Sequence, residues 1–168
     1  MVEAASNVAA LIHQENVDQL WLCGIAGTFD GDAFEPGSAM EFAAAQIYGI
    51  GVGEGSHHQT QRQLGWCESD PTEVWGREAS EPKLLTVAAA SANATEAERR
   101  RRLHENVVAE DMETFAVAQV CRRMGRRLRV FRGCSNRVGD RDKSRWSVDA
   151  ACRSVAELVR SAAGTFPG

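Results

Sequence analysis

Two charged residues, Glu113 and Arg132, stand where the sequence pattern points inward. In the predicted helix 112–124, Glu113 falls in the first turn and shares a row with Val117 and Cys121, which indicates a core-facing carboxylate. A buried carboxylate costs free energy unless it is paired or used. The positive end of the helix offsets only part of that cost. The position of Glu113 therefore marks a candidate for chemistry.

Arg132 lies on the strand face that Leu128 and Val130 also occupy, close to the end of the predicted strand 127–134. In α/β proteins, ligands bind beyond the carboxyl ends of the strands. We therefore predict that Glu113 and Arg132 come within ion-pair or one-water distance. They form either a purely structural ion pair or two sides of one polar ligand site.

A polar segment, 135–142, leaves this strand and leads to a helix. Asn136 in this segment carries both donors and an acceptor, so it can meet the edge of a planar heterocycle. An ordinary turn rich in Asn and Asp is the equal alternative on these residues alone.

Alternating strands and helices predict an α/β fold in a single domain, 1–168. Helices are expected at 2–11, 112–124 and 146–162, with a short charged helix capped by Thr95. Strands are expected at 20–26, 83–90 and 127–134, with one or two more in 38–50. The stretch 51–82 has no period and is rich in Gly, Ser and Gln, which favours a variable or mobile connection.

The composition excludes several classes of protein. The net charge is −4, and the basic runs 99–102 and 122–129 lie among acids, which favours solvated faces and gives no attraction to nucleic acid or to an anionic membrane. Five cysteines without a C-x-x-C pair suit a reducing cytoplasm. No metal-ligand spacing, basic signal region or membrane-length apolar run occurs. We expect a cytoplasmic protein without metal or other cofactor.

The residues around Glu113 and Arg132 carry a resemblance to a known family. Segment 108–118, V-A-E-D-M-E-T-F-A-V-A, resembles the M-E-x-x-A helix of the nucleoside phosphorylase/nucleosidase superfamily, and R-G-C-S-N at 132–136 is similar to its R-x-I-S-D/N strand end. The continuation N-R-V-G-D-R-D with Trp146 resembles the S-N-x-V-G-x-R-D…W form of futalosine hydrolases, enzymes of the menaquinone pathway. G-I-A-G at 24–27 and L-T-V at 85–87 add weaker matches.

The resemblance implies a fold and a role for each site residue. The fold is a three-layer sandwich with a mixed central sheet between helices. Glu113 accepts hydrogen bonds from the ribose 2′- and 3′-hydroxyls, Met112 packs against the sugar, and Arg132 orients Glu113. Asn136, supported by Ser135, contacts the base near N7 and O6. An amide donates hydrogen bonds but delivers no proton, so Asn136 favours a 6-oxopurine such as hypoxanthine, the base of futalosine.

The sequence also departs from the family. Thr114 and Phe115 stand where futalosine hydrolases have a glycine after the M-E pair, and their bulk either narrows the sugar pocket or faces inward. Arg141 and Trp146 are expected to shape the loop.

Segment 2–11 already resembles the helix that follows the first strands of the family, so we expect a fold that lacks those strands. That segment normally carries the acid that activates water. Glu3, Glu15 and Asp18 lie in no recognisable substitute motif.

The sequence thus predicts hydrolysis of the N-ribosidic bond of a 6-oxopurine nucleoside, through an oxocarbenium-like state. Two alternatives stay open: phosphorolysis, for which no phosphate site is evident, and a non-catalytic nucleoside-binding or assembly subunit. We also expect a homodimer, because missing strands leave an apolar sheet face or edge to cover. Its interface is expected at the N-terminal helix and at 24–50.

Overall fold

The computed structural model describes residues 1–66, 82–104 and 106–164, together with the backbone of 72–74. Within these ranges the helices are α1 (Val2–Glu15), α2 (Ala94–Arg102), α3 (Thr114–Arg123) and α4 (Val148–Gly164). The strands are β1 (Gln19–Thr28), β2 (Ala39–Phe42), β3 (Ala44–Ile47), β4 (Gly51–Val52), β5 (Gln59–Thr60), β6 (Thr72–Val74), β7 (Lys83–Thr86), β8 (Val107–Asp111) and β9 (Arg127–Arg137).

Seven strands form one mixed sheet in the order β2-β9-β1-β8-β7-β3-β6, and β4 pairs with β5 in a separate hairpin. The pairs β9–β1, β8–β7 and β7–β3 are parallel, whereas β2–β9, β1–β8 and β3–β6 are antiparallel. α3 packs against the sheet and against α1, and α4 packs against β9, β1 and β2. The predicted α/β fold with a mixed central sheet flanked by helices is confirmed.

The core explains why β9 is central to the fold. Leu128 and Val130 alternate inward along β9 and join Phe115, Val117 and Cys121 of α3 in one apolar cluster. Each fully buried side chain of this kind stabilises the fold by about 1.5–3 kcal/mol. The same inward alternation carries the next residue of this row, Arg132, into the interior, where it is 2% exposed.

β1 is paired unevenly along its length. It hydrogen-bonds to β9 throughout, but its antiparallel pairing with β8 is limited to Gly27↔Glu110 and Thr28↔Ala109. β8 ends at Asp111, so β1 has no strand partner on that side before Gly27 within the described strands. A cavity lies beside this unpaired stretch of β1.

Several predicted boundaries need correction. The strand predicted at 20–26 runs from Gln19 to Thr28 as β1, so it contains the whole G-I-A-G segment 24–27. Strand β9 continues through Ser135 and Asn136, which were expected in the polar segment after the strand. Strand β7 stops at Thr86 rather than at residue 90. Two strands do occupy the 38–50 region.

The N-cap of helix α2 lies two residues earlier than predicted. Asn93, not Thr95, caps it, because Oδ1 of Asn93 accepts the Glu96 N–H at 2.9 Å. The basic run 99–102 is not wholly a solvated face either, because Arg100 is buried. The predicted connection 51–82 contains β4, β5 and the backbone of β6, while its residues 67–71 and 75–81, including Cys67, lie outside the described part of the chain. The prediction of a variable connection therefore stays a prediction.

Candidate active site

A cavity of about 350 Å³ opens beside the unpaired edge of β1. Its walls are the β1 segment 22–27, the end of β8 with residues 110–113, and the end of β9 with the loop that follows. Cavities from about 300 Å³ upward are large enough for small organic ligands. The polar lining residues are Glu110, Asp111, Glu113, Arg132, Ser135, Asn136 and Arg141. All the predicted site residues, Met112 included, line this one cavity.

The strongest ion pair in the site joins Arg132 to Asp111. Nε and Nη2 of Arg132 donate to Oδ2 of Asp111 at 3.1 and 2.7 Å, and the two side chains are only 2% and 0% exposed. The Thr86 hydroxyl donates to the other carboxylate oxygen at 2.7 Å. A buried ion pair is stable when further hydrogen bonds satisfy its polar atoms, and the Thr86 hydroxyl does this for Oδ1 of Asp111.

Thr114 completes this buried network. Its backbone N–H donates to Asp111 at 3.1 Å, its hydroxyl contacts the same carboxylate, and that hydroxyl accepts from Nη2 of Arg132 at 2.9 Å. Thr114 is fully buried, and the neighbouring Phe115 packs into the core. The first departure from the family pattern therefore faces inward and does not narrow the cavity.

Glu113 occupies a different position from the one predicted. It is the residue that precedes α3, not a core-facing member of its first turn, and its side chain is 42% exposed. The helical row with Val117 and Cys121 placed it inward because the predicted helix began two residues too early. Its Oε2 lies 3.5 Å from Nη2 of Arg132, so the predicted approach of the two residues is confirmed. Glu113 thus faces the cavity with its carboxylate fixed on one side by a cation.

Gly24 makes room for the Arg132 side chain. A Cβ at this position would collide with Nη1 of Arg132, so the guanidinium crosses the strand where β1 carries no side chain. This is a packing reason for a glycine in the middle of a strand.

A β-bulge sets the positions of Ser135 and Asn136. In the β1–β9 pairing, Ala26 is opposite Cys134 while Gly27 is opposite Asn136, so Ser135 is the extra residue. A bulge changes the direction of the side chains that follow it, and bulges are frequent beside active sites. No pattern in the sequence indicates this bulge, and for that reason both residues were expected in a loop.

The amide of Asn136 is held by two neighbours. The Ser135 hydroxyl donates to Oδ1 of Asn136 at 2.6 Å, and Nδ2 of Asn136 donates to the Arg137 carbonyl at 2.8 Å. An amide has two N–H donors and two acceptor lone pairs. One donor and one lone pair therefore remain for a ligand in the cavity.

A second buried network supports the wall opposite β1. Glu110 accepts from the backbone N–H and the hydroxyl of Ser91 at 2.8 and 2.7 Å, and from Nη1 of Arg100 at 3.1 Å. Arg100 also donates to the Ala89 carbonyl at 2.8 Å. These bonds hold the loop that places Ala90 in the cavity wall.

The sequence pattern of the whole chain decides its family. The model of the phosphorylase superfamily (PNP_UDP_1) matches residues 1–165. The chain belongs to the phosphorylase superfamily.

Within this superfamily, the chain is similar to a futalosine hydrolase of Acidothermus cellulolyticus, with 39% identity over 72 residues. That alignment covers 43% of this chain and 30% of the relative, so it spans less than a third of the relative's length.

Solved structures share the fold of the superfamily with this chain. The native futalosine hydrolase of Helicobacter pylori has a TM-score of 0.77 at 16% identity, covering 98% of this chain and 76% of that chain. The Streptococcus pyogenes S-adenosylhomocysteine nucleosidase in complex with 5-methylthiotubericidin has a TM-score of 0.75 at 16% identity, covering 99% and 76%. The Colwellia psychrerythraea nucleosidase in complex with adenine has a TM-score of 0.72 at 17% identity, covering 94% and 71%.

Other side chains considered from the sequence lie away from the cavity. Glu3 and Glu15 are exposed on α1, and Asp18 pairs with Arg126 at 3.3 Å. No group of three or more His, Cys, Asp or Glu side chains that could hold a metal ion occurs among the described residues. None of the described helices is long and apolar enough to cross a membrane.

Asp111 is the site residue that sequence reasoning missed. The signal was present, because Glu110, Asp111 and Glu113 place three carboxylates within four residues at a strand end. The sequence pattern paired Arg132 with Glu113, whereas the shorter hydrogen bonds of Arg132 go to Asp111. Arg132 thus connects a buried carboxylate to an accessible one.

Proposed function

We propose that this chain binds a purine nucleoside in the cavity beside β1 and hydrolyses its N-ribosidic bond, with preference for a 6-oxopurine base. The observation that supports this most strongly is the pairing of Glu113 with Arg132 at 3.5 Å in the cavity that Asn136 also lines. The similarity to a futalosine hydrolase agrees with it and suggests futalosine as a substrate.

Glu113 is the proposed sugar-binding residue. A carboxylate accepts hydrogen bonds through two oxygens, so it suits the adjacent 2′- and 3′-hydroxyls of ribose. Arg132 holds Glu113 from behind, because its Nη2 lies 3.5 Å from Oε2 of Glu113. Met112, which is partly exposed and lines the cavity, is proposed to pack against the sugar.

Asn136 is the proposed base-reading residue. Its free N–H can donate to O6 or N7 of a hypoxanthine as negative charge develops on the leaving base. Ser135 fixes the amide by donating to its oxygen at 2.6 Å, and one N–H of Asn136 donates to the Arg137 carbonyl at 2.8 Å, so the other N–H remains for the base. A 6-oxopurine presents acceptors at both O6 and N7, which matches a donor.

The expected rate is low for this chain by itself. Among the described residues, the carboxylates that line the cavity are Glu110, Asp111 and Glu113. The first two already accept hydrogen bonds from Ser91 and Arg100 and from Arg132 respectively, and the third is assigned to ribose. Loss of a nucleophile-activating group lowers the rate far more than it lowers the affinity. We therefore propose binding with slow turnover.

The direct test is release of hypoxanthine from inosine and from futalosine by the purified chain. The assay is run with and without inorganic phosphate, and Glu113→Gln serves as the matched control. Slow, phosphate-independent release that disappears in the variant supports a hydrolase. Release that requires phosphate points to phosphorolysis, and tight binding without any release points to a binding subunit. Fast turnover by a monomer would contradict the proposed lack of an activating acid.

We also propose that the chain forms a homodimer. Apolar side chains on the predicted interface are exposed, with Leu11 of α1 at 44% and Ile50 at 40%. Burial of these side chains between two copies of the chain would remove their apolar surface from water.

A further inference from the structure

Two acceptors compete for one N–H of the Arg132 guanidinium. Nε and Nη2 of Arg132 both donate to Oδ2 of Asp111, at 3.1 and 2.7 Å, so one of the two hydrogens on Nη2 is used there. The second hydrogen on Nη2 has Oγ1 of Thr114 at 2.9 Å and Oε2 of Glu113 at 3.5 Å within reach. Which of these two oxygens accepts it decides how closely Glu113 is held.

The distances assign this hydrogen to Thr114. The Thr114 hydroxyl donates its own proton to Oδ2 of Asp111, so it meets Arg132 as an acceptor. The contact from Arg132 to Glu113 is longer than a charge-assisted hydrogen bond, which measures about 2.7–2.9 Å, so Glu113 meets the guanidinium as an ion pair only. Thr114 is fully buried, whereas the side chain of Glu113 is 42% exposed beside the cavity. A buried hydroxyl therefore stands between the guanidinium and the accessible carboxylate.

We propose that Thr114 is a positioning residue for ligand binding: its hydroxyl takes the second N–H of Nη2 and thereby keeps the Glu113 carboxylate forward in the cavity, with both oxygens available to the ribose hydroxyls. The identity of the ligand rests on the proposed function, whereas the geometry does not. Without the Thr114 hydroxyl, the same N–H donates to Glu113 and draws its carboxylate from 3.5 Å to about 2.8 Å from Arg132, away from the ligand.

Thr86 offers a matched control. It is fully buried like Thr114, and its hydroxyl also donates to Asp111, at 2.7 Å. That bond goes to Oδ1, however, whereas Arg132 donates to Oδ2. Thr86→Val and Thr114→Val should therefore both destabilise the fold, and only Thr114→Val should move Glu113. A merely structural role of Thr114 would make the two variants alike.

Calorimetric titration with inosine and with hypoxanthine, the base without the sugar, tests the effect on binding. Thr114→Val should bind inosine about tenfold more weakly than the intact chain, the size expected for a hydrogen bond to a charged group, and hypoxanthine within about twofold. Thr114→Ala removes the same hydroxyl and should give the same pattern, whereas Thr114→Ser keeps it and should bind both ligands as the intact chain does. Thr86→Val should leave both affinities within about twofold.

A double-mutant cycle shows whether Thr114 acts through Glu113. In a Glu113→Ala chain, Thr114→Val should cause no further loss of inosine affinity, because the carboxylate that it repositions is absent. An equal loss with and without Glu113 would overturn the positioning role.

Crystal structures of the intact chain and of Thr114→Val, both free of ligand, test the geometry without any nucleoside. The distance from Nη2 of Arg132 to Oε2 of Glu113 should shorten in the variant to about 2.8 Å, the length of a charge-assisted hydrogen bond. A distance that stays at 3.5 Å or grows would overturn the proposal.

The outcomes separate this proposal from the proposed function. An equal loss for inosine and hypoxanthine in Thr114→Val, unchanged inosine affinity in that variant, or the same inosine-specific loss in Thr86→Val would overturn the role of Thr114, while inosine binding by the intact chain still supports the nucleoside site. A shortened contact between Arg132 and Glu113 in the Thr114→Val crystals, in a chain that binds no inosine, would support the role of Thr114 and contradict the nucleoside assignment.

Discussion

Arg132 and Asp111 form a buried ion pair of 2.7 Å directly behind the cavity, at the junction of β9, β8 and α3. The same guanidinium reaches forward to the accessible Glu113 at 3.5 Å. The pair thus links the interior of the fold to the carboxylate proposed to bind ribose. Stability and ligand binding should respond together when this link is broken.

Asp111→Asn should lower the free energy of unfolding by about 3–5 kcal/mol, because it leaves the Arg132 charge buried without its partner. Urea unfolding measures the loss. Glu41→Gln is the control, since Glu41 pairs with Arg129 at 2.8 Å in a partly exposed setting and should cost less than about 1 kcal/mol. Similar losses in the two variants would show that burial does not set the strength of the Arg132–Asp111 pair.

Gly24→Ala should weaken both the fold and the binding of inosine. The added methyl group meets Nη1 of Arg132, and overpacking of this kind costs about 1–3 kcal/mol. At Gly27, an added Cβ meets Val138 at 3.1 Å and Asn136 at 3.4 Å, so Gly27→Ala should destabilise less. Thermal unfolding and calorimetry report the two effects. Unchanged stability of Gly24→Ala would mean that the Arg132 guanidinium does not need the space that the glycine leaves.

The sequence was sufficient for those parts of the fold that rest on apolar periodicity. The alternation at Leu128, Val130 and Arg132 placed Arg132 inward, and it is 2% exposed. Helix α4 followed from the same kind of pattern.

Features that depend on tertiary contacts escaped the sequence analysis. The β9 bulge at Ser135 exists only in register with β1, and the burial of Arg100 depends on Glu110, ten residues away. Helix α3 starts after Glu113 rather than at Met112, and this shift turns Glu113 from the core toward the cavity. A boundary error of two residues was enough to change the environment of a key carboxylate.

Asn136→Asp should shift base selectivity from inosine toward adenosine. The wild-type amide donates to a 6-oxopurine, whereas a protonated carboxyl can deliver a proton to N7 of adenine. A site built on one specific hydrogen bond discriminates by up to about 10⁴-fold in favourable cases. Calorimetric titration of the wild type and of Asn136→Asp with inosine and with adenosine measures this selectivity. Equal or better adenosine binding by the wild type would show that Asn136 does not read the base.

The buried thiols should make the fold less stable at high pH. Burial raises the pKa of Cys121 and of Cys134 to about 11, above the ordinary value of 9.0. Between these values the unfolded chain releases protons that the folded chain keeps, so the free energy of unfolding falls as the pH rises from about 9 to about 11. Unfolding in urea across this range should show a smaller fall in Cys134→Ala. An identical pH dependence in both proteins would contradict the assignment.

Iodoacetamide labelling should distinguish the same thiols at neutral pH. Cys23 and Cys152 are exposed, whereas Cys121 and Cys134 are buried. Mass spectrometry of the folded chain should find the exposed pair alkylated first. Rapid alkylation of Cys134 would mean that the end of β9 opens readily.

Leu11→Arg should dissociate the proposed homodimer, because it replaces an apolar residue of α1 that is 44% exposed in the single chain with a charged one. Sedimentation velocity measures the state of the wild type and the variant. Arg153→Gln is the matched surface control. A wild-type chain that sediments as a monomer at micromolar concentration would rule out the proposed dimer.

The measurement that tests the central claim most directly is calorimetric titration of the purified chain with inosine, beside Glu113→Gln. The account predicts one saturable site per chain and a loss of affinity of about tenfold or more in the variant, because an ionised acceptor for the ribose hydroxyls is replaced by a neutral amide. Undetectable inosine binding by the wild type, or equal affinity in the two proteins, would contradict the assignment of this cavity as a nucleoside site.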